Sequence, residues 1–259
     1  ATQTGVKALF SEANAVPFAQ FVNNGKQFIF FFGSTFTLCD SETGKVLNRI
    51  SLGVSAAVFS TTYPSLAASA KGDLVAAVIA AEGFSADRLR TVNLSSVVIL
   101  DTNTGKKVGA FEPRGVVKQI AFSVDGSQII VGCEDGNVHL WDIEKRTRSV
   151  PPLEHSGAVN SIALSRDGRL LATAIKTESG GGAAQVWDLH TGFPLTPPLV
   201  EPWQEMTHVE FSPDGKTIMA WQPGIVEVLL FPIAPPAEFT SQNILDVASA
   251  LTSSRRDYV

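Results

Sequence analysis

Long runs are missing from this sequence, both of charge and of apolar residues. No stretch of Lys or Arg exceeds the pair Arg255-Arg256, and the formal net charge is −5. A phosphate-neutralising surface is therefore not visible, and nucleic acid is not an expected partner. The most apolar stretch, Phe28 to Phe32, is followed by Gly33 and Ser34 and falls far short of the roughly 20 residues that a bilayer-spanning helix needs. Cysteine is scarce: Cys39 and Cys133 cannot build a disulfide scaffold and have no metal-ligand spacing beside them. Each falls in an expected strand, as a small half-buried hydrophobe.

Signatures of catalysis are missing as well. The four histidines, His139, His155, His190 and His208, form no HxxxH or HxH pair, and no Ser stands in a Gly-x-Ser-x-Gly elbow. Gly180-Gly181-Gly182 lacks the Lys-Ser/Thr continuation and the helix start of a phosphate loop, so it reads as a flexible connection. No enzyme activity, cofactor or metal is expected.

A recurring phrase takes their place. An apolar strand ending in Ser, a turn with Gly and a second apolar strand appear at Ile120 to Gly126, Ile162 to Gly168 and Val209 to Gly215. Weaker copies run from Ala19 to Gly25 and from Ala67 to Gly72. Gly and Asn reach the φ > 0 positions of tight hairpins at little steric cost, so these pairs are turns. A second marker follows each turn: Leu38-Cys39-Asp40, Ile99-Leu100-Asp101, Leu140-Trp141-Asp142, Val186-Trp187-Asp188 and Leu230-Phe231-Pro232. Three of these lead into a Thr-Gly turn, at Thr43-Gly44, Thr104-Gly105 and Thr191-Gly192, after which an apolar strand resumes. Each unit thus reads as four antiparallel strands, a to d.

On these residues the chain resembles the WD-repeat family, whose repeat of about 40 residues ends in Trp-Asp and folds as one propeller blade. The resemblance covers roughly residues 16 to 233. It is most specific at Trp141-Asp142 and Trp187-Asp188, and Val131 to Asp142 looks like a nearly complete family b–c hairpin. The phrase from Pro151 to Gly157, with Pro194 to Leu199, is similar to repeats of bacterial multidomain regulatory proteins, notably planctomycete ones. The resemblance implies an all-β propeller of about five four-stranded blades, in a domain spanning residues 1–236. Blades are expected near 16–50, 64–111, 116–150, 158–200 and 206–233.

Pro235-Pro236 stops the last repeat before an outer strand, and Val6 to Phe10 is an apolar run without a blade of its own. Residues 6–10 are therefore expected to complete the last blade and close the ring. A larger propeller, or edges paired with another chain, is the rival expectation. In the tail, residues 237–259, Ile244, Leu245, Ala248 and Leu251 recur at helical spacing after Ser241, an available N-cap. A short amphipathic helix follows from this. A start at Ala1 fits a removed leader, a trimmed end or an excised piece, which leaves the compartment open between cytoplasm and export.

In such a blade the a–b and c–d turns emerge on one side, and the b–c and d–a connections on the other. The short Asp-Gly and Thr-Gly turns leave the first side trimmed. Residues 82–95 and Lys176 to Gly182 enlarge b–c loops on the second. Long loops on a rigid scaffold gather binding residues, and Trp and Arg are favoured anchors. The candidate partner-binding residues are Phe84, Arg88, Arg90, Arg114, Trp203 and Trp221. Trp141, Asp142, Trp187 and Asp188 read as structural, Asp135 as the brace of its b–c turn, and His155 as the family's histidine in a hydrogen-bond network. The expected function is a non-catalytic scaffold or assembly subunit for a protein partner. The alternatives are a structural subunit assembling through its terminal helix or a blade edge, and a metal-dependent propeller hydrolase or lyase.

Overall fold

A computed structural model describes residues 18–32, 34–52, 66–84, 91–113, 115–177, 180–201, 205–224 and 227–233, with the backbone alone at 80–84 and 91–94. The chain there is all-β, and its strands pair antiparallel into five sheets that follow one another in sequence. Sheet I holds β1 (Phe18–Val22), β2 (Gln27–Phe32), β3 (Thr35–Asp40) and β4 (Val46–Ser51). Sheet II holds β5 (Leu66–Ala68), β6 (Leu74–Phe84), β7 (Thr91–Asp101) and β8 (Lys107–Phe111). Sheet III holds β9 (Val117–Phe122), β10 (Gln128–Cys133), β11 (Asn137–Asp142), β12 (Thr147–Arg148) and β13 (Leu153–Glu154). Sheet IV holds β14 (Gly157–Leu164), β15 (Leu170–Thr177), β16 (Gly182–Asp188) and β17 (Leu199–Glu201), and sheet V holds β18 (His208–Phe211), β19 (Thr217–Trp221) and β20 (Val228–Pro232).

The first strands of successive sheets lie against one another in chain order. Side chain to backbone bonds tie them together. Gln20 Nε2 donates to Ala68 O at 3.1 Å, the Ile162 N–H donates to Gln119 Oε1 at 2.8 Å, and Asn160 Nδ2 donates to Met206 O at 3.2 Å. The a–b turns touch in the same succession: the Asn23 N–H donates to Ala70 O at 2.7 Å.

Alternation of side chains across each strand gives every inner sheet two buried faces. On β10, Ile129, Val131 and Cys133 pack with Val97 and Ile99 of sheet II, whereas Ile130 packs with Leu171 of sheet IV. Burial on both faces explains why these strands read as continuous apolar runs.

Three details depart from the sequence expectation: the outer strand of sheet III, the span 82–95 and the enlarged loop of sheet IV. The outer strand of sheet III is split: β12 pairs with Trp141 and Asp142, and β13 pairs with Asn137 and Val138. Pro151 and Pro152 lie between them and have no N–H to donate to a ladder. Sheet V has three strands among the described residues; the expected closing strand 6–10 and the expected helix in 241–251 lie outside those residues. Finally, residues 82–95 are mostly not a loop. The β6–β7 ladder continues from Ile79↔Ser96 to Phe84↔Thr91, beyond the reach of β5 and β8, because Thr91 and Val92 favour extended backbone and draw Gly83 into register. The enlarged loop of sheet IV likewise shrinks to a turn, with the Gly180 N–H donating to Thr177 O at 3.0 Å.

Candidate functional site

The turns on the a–b and c–d side use up their polar groups locally. Ser123, Ser165 and Ser212 each donate a hydroxyl to the aspartate two residues on, at 2.6 Å in all three turns. These bonds come first among the causes that hold Asp125, Asp167 and Asp214 below the ordinary carboxylate range. The aspartate ending the third strand of sheets I to IV caps the c–d turn. Asp40 accepts from the Thr43 N–H at 2.8 Å and Asp101 from the Thr104 N–H at 2.7 Å. Asp142 accepts from the Lys145 N–H at 2.8 Å and from Lys145 Nζ at 3.0 Å. At Asp188 burial works to raise the pKa, but N–H donors from Thr191 and His190 outweigh it and hold the carboxyl low.

The b–c and d–a side is built differently. Asp135 accepts the Asn137 N–H at 3.1 Å, and Gly115 packs so closely that a Cβ there would lie 2.8 Å from the Asp135 carboxyl carbon. Gly136 has φ +85°, and a Cβ on it would lie 2.7 Å from His155 O. His155 Nδ1 sits 3.0 Å from both Gly136 O and Leu153 O, so the tautomer these acceptors select carries its proton on Nδ1. Its Nε2 then accepts from the Thr173 hydroxyl at 3.0 Å, and the ring lies 4.9 Å from the indole of Trp187. Burial is the main reason the imidazole stays below its ordinary pKa, although its two carbonyl partners oppose the shift. Two ion pairs line the same side, Lys118 to Glu134 at 3.4 Å and Lys176 to Glu205 at 3.1 Å. The β6–β7 ribbon projects there too, since β6 runs from the a–b turn toward the b–c end.

Of the six candidate binding residues, Phe84 ends β6 and pairs with Thr91 in the backbone. Trp221 ends β19, half-buried, with its ring stacked 5.2 Å from His208. Arg88, Arg90, Arg114 and Trp203 lie outside the described residues. Among the structural candidates, Trp141 packs 4.5 Å from Phe111, and Trp187 is buried. Sequence reading missed Thr173, which meets His155 from a strand 18 residues away, and His139, which is buried against Phe111 with neither ring nitrogen bonded.

Among the described residues no group of three His, Cys, Asp or Glu side chains is placed to hold a metal ion. Burial pushes the Cys133 thiol up to about 12 and raises Cys39 as well, so both stay protonated and are poor nucleophiles. No helix among the described residues is long and apolar enough to cross a membrane.

Comparison with known proteins bears on the same repeats. The family model described as WD domain, G-beta repeat matches residues 105–142 and 147–188. Residues 105–142 and 147–188 are WD repeats. It is 26% identical to the guanine nucleotide-binding protein subunit beta of rice over 156 residues, which are 51% of this chain and 40% of that protein. It is 32% identical to Protein RBL of Arabidopsis thaliana over 80 residues, 30% of this chain and 14% of that one. The chain therefore matches at most 40% of the length of these relatives. Among solved structures, Kuenenia stuttgartiensis hydrazine synthase is similar with a TM-score of 0.62 and 16% identity, over 88% of this chain and 67% of that chain. That likeness concerns the fold alone.

Proposed function

We propose that this protein is a non-catalytic interaction scaffold that recognises a protein through its b–c and d–a side. The observation that carries the reading is the β6–β7 ribbon. Among the described residues its outer rungs, Ile79↔Ser96 to Phe84↔Thr91, pair with no third strand, whereas most ladders elsewhere end with their sheet. A projecting two-stranded arm on a rigid array gives a partner an edge and a tip to grip. In the sequence Arg88 and Arg90 fall in the segment joining its strands, and Arg114 and Trp203 fall in d–a connections. The relatives point the same way, since a G-protein β subunit is by name one subunit of an assembly.

The test is affinity capture with the whole chain beside a variant in which residues 80–93 are replaced by Asn-Gly. The reading expects a partner that the chain retains and the trimmed variant loses, with the thermal transition of the two chains alike. Equal capture by both would overturn it.

A further inference from the structure

The c–d turn of sheet III departs from the pattern of sheets I, II and IV. In those three the third and fourth residues after the strand-ending aspartate are Thr and Gly, at Thr43-Gly44, Thr104-Gly105 and Thr191-Gly192. The glycines have φ of +68°, +67° and +73°. In sheet III the same places hold Lys145 and Arg146, and Arg146 keeps the left-handed backbone at φ +56°. Its N–H donates to Asp142 O at 2.9 Å, as the glycines donate to Asp40, Asp101 and Asp188. Glycine is the residue such backbone favours, so this turn bears strain to carry a guanidinium.

That guanidinium is aimed. Arg146 Nη2 crosses to sheet II and donates to Val108 O of β8 at 3.1 Å. Arg148 stands opposite Trp141 in the β11–β12 pair, so its side chain leaves the sheet on the same face as the indole. Between β8 and β12 these groups border a groove of about 670 Å³, which Phe111 and Glu112 also line. The rings of Phe111 and Trp141 pack 4.5 Å apart and give it an apolar wall. Thr147 and Arg148 line a second hollow as well, of about 370 Å³, on the sheet IV side of β12 beside Lys145 and His190.

Two arginines against one carboxylate, Glu112, make the groove cationic on a chain whose net charge is −5. Among the described residues no carboxylate pairs with either arginine. Arg146 uses one donor on Val108 and retains the rest, and both guanidinium groups suit a carboxylate held by two N–H groups. Trp141 is half-buried, which leaves part of a large apolar face beside those charges. A simple anion makes no use of that face, and a purely apolar ligand makes none of the arginines. The second hollow prolongs the site across β12, which suits an extended chain over a compact molecule.

We infer that the groove between β8 and β12 docks an acidic peptide segment of a partner protein. One apolar side chain of the segment lies against Trp141, and carboxylates beside it pair with Arg146 and Arg148. The site does not involve the β6–β7 ribbon, and neither requires the other.

Selection from a library of random peptides on the whole chain, with an Arg146→Gly/Arg148→Gln double variant run in parallel, tests this. Peptides retained by the wild type and lost from the variant should carry Asp or Glu around a Leu, Phe or Trp. Glycine suits the backbone at position 146, so Arg146→Gly should fold with a thermal transition at or above that of the wild type. With the strongest such peptide, fluorescein-labelled, each single arginine variant should weaken binding about fivefold, the upper end for an exposed charge pair. Thr147→Glu adds a carboxylate to the groove and should abolish binding, whereas Glu112→Gln removes one and should strengthen it. Identical selections on the two proteins, or variant-sensitive peptides that are basic or uncharged, would overturn the inference. So would binding that Thr147→Glu and Glu112→Gln leave unchanged.

Discussion

His155 Nε2 lies 3.0 Å from the hydroxyl of Thr173, in the middle strand pair of sheet IV, and this bond ties the connection entering the sheet to its interior. Thr173 is buried. Replacing it with Val keeps the shape but leaves Nε2 without its donor. Thr173→Val should cost about 1–3 kcal/mol, the usual range for a buried polar atom that loses its partner. A urea midpoint that falls with an unchanged slope would show it.

Gly136 and Gly215 separate backbone strain from steric overlap. Both have positive φ, +85° and +71°. A Cβ on Gly215 meets nothing within 4 Å, whereas one on Gly136 would lie 2.7 Å from a backbone carbonyl. Gly215→Ala should cost about 1–2 kcal/mol from the left-handed backbone alone. Gly136→Ala should cost clearly more in the same denaturation series, because the His155 carbonyl must also move.

Acid should destabilise the protein in two stages. Burial, with Arg148 nearby, holds His139 below its ordinary 6.5, and burial lowers His155 too. The unfolded chain then binds more protons than the folded one, so stability is full above about 6.5 and falls as pH drops through this window. The turn carboxylates of Asp125, Asp167 and Asp214 are lowered from 3.8. Their contribution is present above that value and is lost as pH falls below it. Thermal scans from pH 8 to pH 3 should show both declines, and His139→Leu should flatten only the upper one.

His139→Leu should also raise stability at neutral pH. Both ring nitrogens of His139 are buried without a hydrogen bond, and an apolar side chain of similar size removes that desolvation penalty. A gain of about 1 kcal/mol in denaturant unfolding is expected. A loss of stability would mean that the ring makes a polar contact.

Much of the repeat was legible because its markers are local. The Gly of each a–b turn and the Asp ending the third strand of sheets I to IV sit at fixed offsets, and their chemistry is complete within five residues, as at Ser165 and Asp167 or Asp188 and Thr191. What was not legible depends on partners distant in sequence. Thr173 looks like any strand residue until β15 brings it beneath His155. The ribbon was hidden by Gly83 and the polar residues near it, which suggest a loop until the β-branched run from Thr91 imposes its register. Leu230 and Val186 are the same kind of residue in the same kind of phrase. Among the described residues they differ in that Val186 is buried and Leu230 is exposed.

The central claim, recognition through the b–c and d–a side, is tested most directly by lysine cross-linking and mass spectrometry of the chain with its captured partner. Lys118 and Lys176 lie on that side, paired with Glu134 and Glu205, whereas Lys26, Lys71 and Lys216 lie in or beside the a–b turns. The account predicts cross-links to the partner from Lys118 and Lys176 and none from the turn lysines. Cross-links concentrated on Lys26, Lys71 and Lys216 would contradict it.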